Sequence, residues 1–311
     1  MSDIKKLAPR EAYGKKLIEL GYKIPELIVL DADLSNSTKT SLFQREFHER
    51  HFNIGIAENN MLLIASGLSI AGKTVFASSF AIFETGRTWE IIRNTIAHDK
   101  LNIKIVATHA GISVGEDGYS HQANEDMAIM RVIPNMAVLC PADANETEKI
   151  IEYAAYNKGP FYIRLSRENT PIFTDIEQPY AFGKGKILKE GKEATIIAIG
   201  MMVYPALQAA KKLEEEGISV RMINMSCLKP IDRELIIDSA KKTNLLITCE
   251  EHSILGGLGT AVCEVVAEEH PCKVLRMGIN DVFGQSGKPD ELFKFYGLTT
   301  DGIIKKVKEN R

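Results

Sequence analysis

Short, nearly pure apolar runs alternate along this chain with longer stretches of helical period, and that alternation limits the available folds more sharply than any single motif. Residues 27–30 (LIVL), 52–56, 74–79, 102–108 (NIKIVAT), 136–140 and 161–165 read as strands. Helical patterns fill the gaps at 9–21, 58–71, 84–98, 125–132 and 145–156, with Pro9 opening the first and Gly21 stopping it. The pattern lapses over 171–186, where Pro171, Pro179, Gly183 and Gly185 leave no period. It then restarts with strands at 193–200, 218–225, 244–250 and 273–279, helices at 205–216 and 260–269, and a helical tail from Thr300. Strands joined by helices of this length call for right-handed crossovers and mostly parallel sheets. The expected architecture is therefore α/β in two domains, 1–170 and a smaller 187–311, with a linker at 171–186.

Composition narrows the function classes. A length of 311 residues agrees with about two domains. A net charge of −3 excludes a dominant basic surface for nucleic acid, and a 7% aromatic fraction with one Trp advertises no base-stacking platform. No apolar stretch approaches the length of a membrane span, and the opening MSDIKKLAPREAYGKK lacks the apolar core of a signal peptide. Five cysteines, an odd number without a Cys-x-x-Cys pair, read as reduced thiols. A cytoplasmic protein with neither nucleic acid nor membrane as partner is expected.

Open parallel sheets collect functional groups at the carboxyl ends of their strands. Those ends are polar here: Asp31, Asp33, Ser35, Asn36 and Ser37 after the first strand, Glu58 after the second, His109, Glu116, Asp117 and His121 after the fourth, and Ser166 and Arg167 after the sixth. The loop from Thr108 to Gln122 gathers two imidazoles and two carboxylates around Gly111, Gly115 and Gly118, a poor way to build a core. The second half offers only Glu250, Glu251 and His252 ahead of the Gly256–Gly259 turn, so any chemistry belongs mainly to the first domain. Plainer readings stand beside these. Glu58 suits the first turn of a helix through the helix dipole, and Phe80 and Phe83, three residues apart, suit a core. The Gly-rich turn suits helix–sheet packing, Asn145 suits a helix cap, and His48, His51, His98 and the Lys15-Lys16 pair suit solvated faces. Glu116-Asp-Gly followed by Asn145 has the rough spacing of a magnesium diphosphate site, but the triplet's first glycine is missing, and no metal ligand is assigned.

Several segments in order, IGIAENN (54–60), THAGISVGEDGYSHQ (108–122), IPNMAVLCPAD (133–143), RLSREN (164–169) and EEHSILGGLGTA (250–261), resemble the transketolase family. The resemblance covers the pyrimidine-binding domain and the C-terminal domain, so the chain looks like the C-terminal subunit of a split transketolase. It implies thiamine diphosphate as cofactor, with the Mg2+ and diphosphate ligands on an N-terminal partner subunit. It also implies self-association as a dimer or an α2β2 heterotetramer.

The same resemblance assigns roles. Glu58 bonds a ring nitrogen of the cofactor's aminopyrimidine, a task that needs a carboxyl able to hold a proton near neutrality, as burial favours. Phe80 and Phe83 pack on that ring; a third aromatic found in some relatives is Gly86 here. His121 and His109 serve as acid–base partners for the donor's oxygens, and Asp117 reads a sugar hydroxyl. Arg167, Arg10, Ser37 and again His109 form the mouth that grips a sugar phosphate. The implied reaction moves a two-carbon glycolaldehyde unit from a ketose phosphate to an aldose phosphate, with the cofactor as electron sink. Two alternatives remain: half of another thiamine diphosphate enzyme, such as a deoxyxylulose phosphate synthase-like chain or a 2-oxo acid dehydrogenase beta subunit, and a non-catalytic interaction protein of the same fold.

Overall fold

A computed structural model describes residues 5–311, so the first four residues of the expected first domain lie outside the described residues. A seven-stranded sheet runs in the order Cys227–Lys229, Ala137–Leu139, Phe161–Arg164, Ile103–Ala107, Thr74–Ser78, Leu27–Asp31, His51–Asn53. All its pairings are parallel except that of Cys227–Lys229 with Ala137–Leu139. Its central strands are buried along their whole length, as strands covered on both faces must be. Alternation then divides their side chains. Ile28 and Leu30 enter one core, while Leu27 and Val29 join Tyr13, Leu17, Phe76 and Val106 on the other face.

A five-stranded sheet follows, ordered Lys273–Ile279, Leu245–Ser253, Ala194–Ala198, Val220–Asn224, Lys186–Lys189, with only the last strand antiparallel. The two sheets are tied in two ways. The core that holds Leu30, Val138 and Met130 continues without a break through Ile197, Ile223 and Leu258. Cys227–Lys229, from the later half of the chain, adds itself to the edge of the first sheet. Among the described residues no helix is long and apolar enough to cross a membrane.

Several local expectations need correction. The strand expected at 52–56 is His51–Asn53, and pairing with Val29 turns His51 inward to 5% exposure, so it is not a solvated histidine. Lys16 is also buried, its ammonium 2.6 Å from Glu19 on the side where the first helix packs against Ala144–Tyr156. The helix expected at 84–98 is three pieces, Ala81–Gly86, Trp89–Ile91 and a wide turn at Ile92–Ala97. The cap of Ala144–Tyr156 is Asp143, which accepts from the Glu146 amide at 2.9 Å; Asn145 donates to the Thr174 carbonyl instead.

Candidate active site at the carboxyl edge of the first sheet

Phe80 follows the strand Thr74–Ser78 and Phe83 lies in the short helix Ala81–Gly86, so one turn brings their rings to 6.1 Å at 18°. His109, just past Ile103–Ala107, stacks on Phe80 at 3.9 Å. His121 meets Phe83 edge-on at 5.3 Å. Glu58 begins the helix Glu58–Ile70 and is 4% exposed. Its carboxylate is not solitary: Arg87 Nη1 donates to both oxygens, at 3.3 and 3.2 Å, while the guanidinium lies 4.7 Å from the Phe83 ring centre. Arg87 thus couples the acid to the aromatic wall. It went unnoticed in the sequence because a half-turn arginine ordinarily marks a solvated face; its i+4 spacing from Phe83 was the available signal.

A second group continues from His109. Arg10 Nη1 donates to the Ser37 carbonyl at 2.9 Å and lies 3.5 Å from His109 Nε2, and its Nε donates to the Arg167 carbonyl at 3.2 Å. Arg167 donates to the Val114 carbonyl at 2.7 Å and faces Asp117 Oδ2 at 3.7 Å. Ser37 therefore meets the group through its backbone. All nine singled-out residues, Glu58, Phe80, Phe83, His109, His121, Asp117, Arg167, Arg10 and Ser37, belong to one connected patch. Burial, aided by the positive charges of Arg10 and Arg167, pushes the His109 imidazole down to about 3. Since arginine only donates, Nε2 is the accepting nitrogen, which leaves the proton on Nδ1, 2.9 Å from Thr108 Oγ1. His121 differs: Nδ1 is engaged with Ser120 Oγ at 2.9 Å, and Nε2 has no partner among the described residues.

Behind the wall lie two buried acids, Asp31, which the strand-end pattern had marked, and Glu84, which it had not. Glu84 is fully buried, accepts from the Ser79 amide at 2.9 Å through one oxygen, and is held well above the usual carboxylate range by burial. Asp31, pushed up to about 6 by burial, accepts from Thr38, Thr40 and the Leu34 amide. The Gly256–Gly259 turn is filled from within, because Glu250 accepts from the Leu258 and Gly259 amides at 2.7 and 2.8 Å. That helix end holds a protein carboxylate where an anionic ligand would otherwise sit.

Two family profiles match the chain: "Transketolase, pyrimidine binding domain" over residues 5–172 and "Transketolase, C-terminal domain" over residues 183–303. A chain of Methanocaldococcus jannaschii, provisionally described as a transketolase C-terminal section, is 54% identical over 96% of this chain and 95% of its own length. Human transketolase is 39% identical over 97% of this chain but only 49% of its own length, so the chain spans about half of that relative. Among solved structures, one described as a split gene transketolase, an inactive beta4 tetramer, superposes with a TM-score of 0.90 at 52% identity, covering 98% of both chains.

Proposed function

The chain belongs to the transketolase family, and we propose that it is the C-terminal subunit of a split enzyme. Joined to an N-terminal subunit, it transfers a glycolaldehyde unit from a ketose phosphate to an aldose phosphate. The observation that carries this reading is the continuity of the patch, which runs from a buried acid, Glu58, along an aromatic wall to two histidines and then to a pair of arginines. A flat wall beside a buried carboxyl suits an aminopyrimidine, so the residues present fit that end of thiamine diphosphate. Among the described residues no cluster of three or more His, Cys, Asp or Glu could hold a metal ion; in this reading Mg2+ and the diphosphate are held by the N-terminal partner.

Bound thiamine diphosphate supplies a carbanion nucleophile and an electron sink. The protein's tasks are then to hold, orient and move protons. Glu58 bonds a pyrimidine nitrogen while Arg87 fixes the direction of its carboxyl. Phe80 and Phe83 exclude water from one face of the ring. His121, with Nε2 unengaged, exchanges a proton with a donor oxygen. His109, neutral and occupied at both nitrogens, orients rather than titrates. Arg10 and Arg167 supply the positive mouth for a phosphate, and Asp117 meets a hydroxyl.

A partner is further supported by the outer side of Glu58–Ile70. Leu63 and Ile70 are exposed there, with Ile56 just ahead of the helix at 77% exposure, and Ile64 lies at the margin. Apolar surface contiguous with a site is a mark of association. The reading is tested by combining the chain with the candidate N-terminal subunit, thiamine diphosphate and Mg2+. Glycolaldehyde transfer should appear only in the complex, and Glu58→Gln should lower kcat at least about a hundredfold. Full activity in the Glu58→Gln complex would remove the catalytic reading and leave the non-catalytic one.

A further inference from the structure

The loop that carries Asp117 and His121 rests on the second domain along nearly its whole course. The Ser113 amide donates to Glu251 Oε1 at 2.6 Å. Gly111 sits directly over the same carboxyl, at φ 80°, so any side chain there would collide with it. Gly115, at φ 82°, lies against Pro289 and the Gly287 carbonyl, where an added Cβ would stand 3.2–3.3 Å from both residues. Further along, Gln122 Nε2 donates to the Gln285 carbonyl at 3.0 Å, and the Ser253 amide donates to the Asn124 carbonyl at 2.7 Å. The loop's glycines are thus needed for close approach to the second domain as well as for turning the chain.

Glu251 itself is held from both sides. It is 2% exposed at the end of Leu245–Ser253, and its carbonyl accepts from Arg164 Nη2 at 2.9 Å. That arginine, on the first sheet, also donates to Asp126 at 2.9 Å and to the Ala123 carbonyl at 3.2 Å. The carboxyl therefore stands at a fixed place relative to the first sheet, and the loop hangs from it. We propose that Glu251 is a positioning residue of the active site, through which the second domain holds the 110–122 loop so that Asp117 and His121 meet the substrate. Its effect on catalysis rests on the functional reading above; its effect on the loop does not. A buried carboxyl oxygen accepting from an amide is a directional tether whose loss strands the buried donor, and no hydrogen bond links it to the aromatic wall or to Glu58.

The test has two arms. Amide hydrogen exchange on the folded chain reads the loop directly. Glu251→Ala should speed exchange of amides in 111–118 at least tenfold while Ala194–Ala198 stays protected, and Glu251→Gln, which keeps an accepting oxygen, should stay within threefold of the parent. Unchanged loop exchange in Glu251→Ala would overturn the proposal. Should Glu251→Ala also lose the protection of Ala194–Ala198, Glu251→Asp decides, because it keeps the acid but draws it back by one methylene from the Ser113 amide: faster loop exchange with Ala194–Ala198 protected supports the tether and unchanged loop exchange overturns it. In the reconstituted complex, Glu251→Ala should lower kcat/KM for the sugar donor at least tenfold, with the Kd for thiamine diphosphate within twofold and recovery in Glu251→Gln. A parallel loss of cofactor affinity would reduce Glu251 to a general structural role and overturn the proposal. If the parent complex transfers nothing, the functional reading fails while the exchange arm still decides the tether.

Discussion

His109 occupies the left-handed region at φ 56°, an uncommon conformation for a residue with a Cβ. The turn lets a side chain at the end of a buried strand lie flat on Phe80 and reach Arg10 at once. A ring so enclosed, with two guanidinium groups nearby, loses more by protonation than a free imidazole does. Its folded value, about 3, lies below the ordinary 6.5. Between those values the unfolded chain binds the proton and the native one does not, so the associated stability is present above pH 6.5 and is lost as pH falls toward 3. The ring nitrogens of His109 should therefore keep neutral NMR shifts from pH 8 to pH 5, protonated on Nδ1. A midpoint near 6.5 would refute that arrangement. The histidine, its loop and the strand-end acids were all legible in the sequence, because chemistry at strand ends follows from the βα pattern. The pairing of Glu58 with Arg87 was not, since it depends on how a short helix turns after Phe80. The burial of His51 was likewise hidden, because one residue of strand register decides it.

Helix Ala144–Tyr156 shows how an element acquires more than its own cap. Asp143 is fully buried and accepts from the Glu146 amide at 2.9 Å, but also from the Phe173 and Thr174 amides and from Thr174 Oγ1, at 2.8, 2.7 and 2.6 Å. One carboxylate therefore starts a helix and pins the chain as it leaves the first sheet. Capping alone is worth about 1 kcal/mol, while hydrogen bonds to a charged group contribute about 1.5–3 kcal/mol and leave unsatisfied amides when lost. Asp143→Ala should cost roughly 3 kcal/mol, read as a lower denaturant midpoint at unchanged slope, and Asp143→Asn less. A loss below about 1 kcal/mol would mean that water replaces the carboxylate. Elements of this kind were read well wherever a long apolar face set the period. Cys227–Lys229 escaped notice because three residues carry no period, and its place is set by the antiparallel edge it finds on Ala137–Leu139. The segment 84–98 misled for the opposite reason: its apolar spacing is helical, but the backbone departs from a regular α-helix around Arg87 and again from Ile92.

At the scale of the whole molecule, the two sheets meet over buried charge as well as apolar surface. Arg164, Asp126, His252, Glu250 and Glu251 are all buried there, with Arg164 2.9 Å from Asp126 and His252 Nδ1 3.7 Å from Glu250. Desolvation dominates both glutamates and lifts each from 4.5 to about 7; amide donors and the positive charge of Arg164 only partly oppose it. Between those values the native state holds protons that the unfolded chain releases. Each carboxyl's contribution is therefore complete below pH 4.5 and is lost as pH rises through 7, opposite in sign to that of His109. Glu250 and His252 share the same interface, so the contribution of Glu251 is isolated by comparison with Glu251→Gln, which stays neutral and keeps an oxygen for the Ser113 amide. The variant should gain stability relative to the parent as pH rises from 5 to 8, by up to about 3 kcal/mol, and its melting temperature should overtake the parent's by several degrees at the alkaline end. A difference that stays flat across that range would mean that Glu251 is already ionised at pH 5, with Arg164 rather than a proton offsetting its charge. The tether to Ser113 would then be a charged one throughout, and the interface between the sheets would hold the same strength on both sides of neutrality.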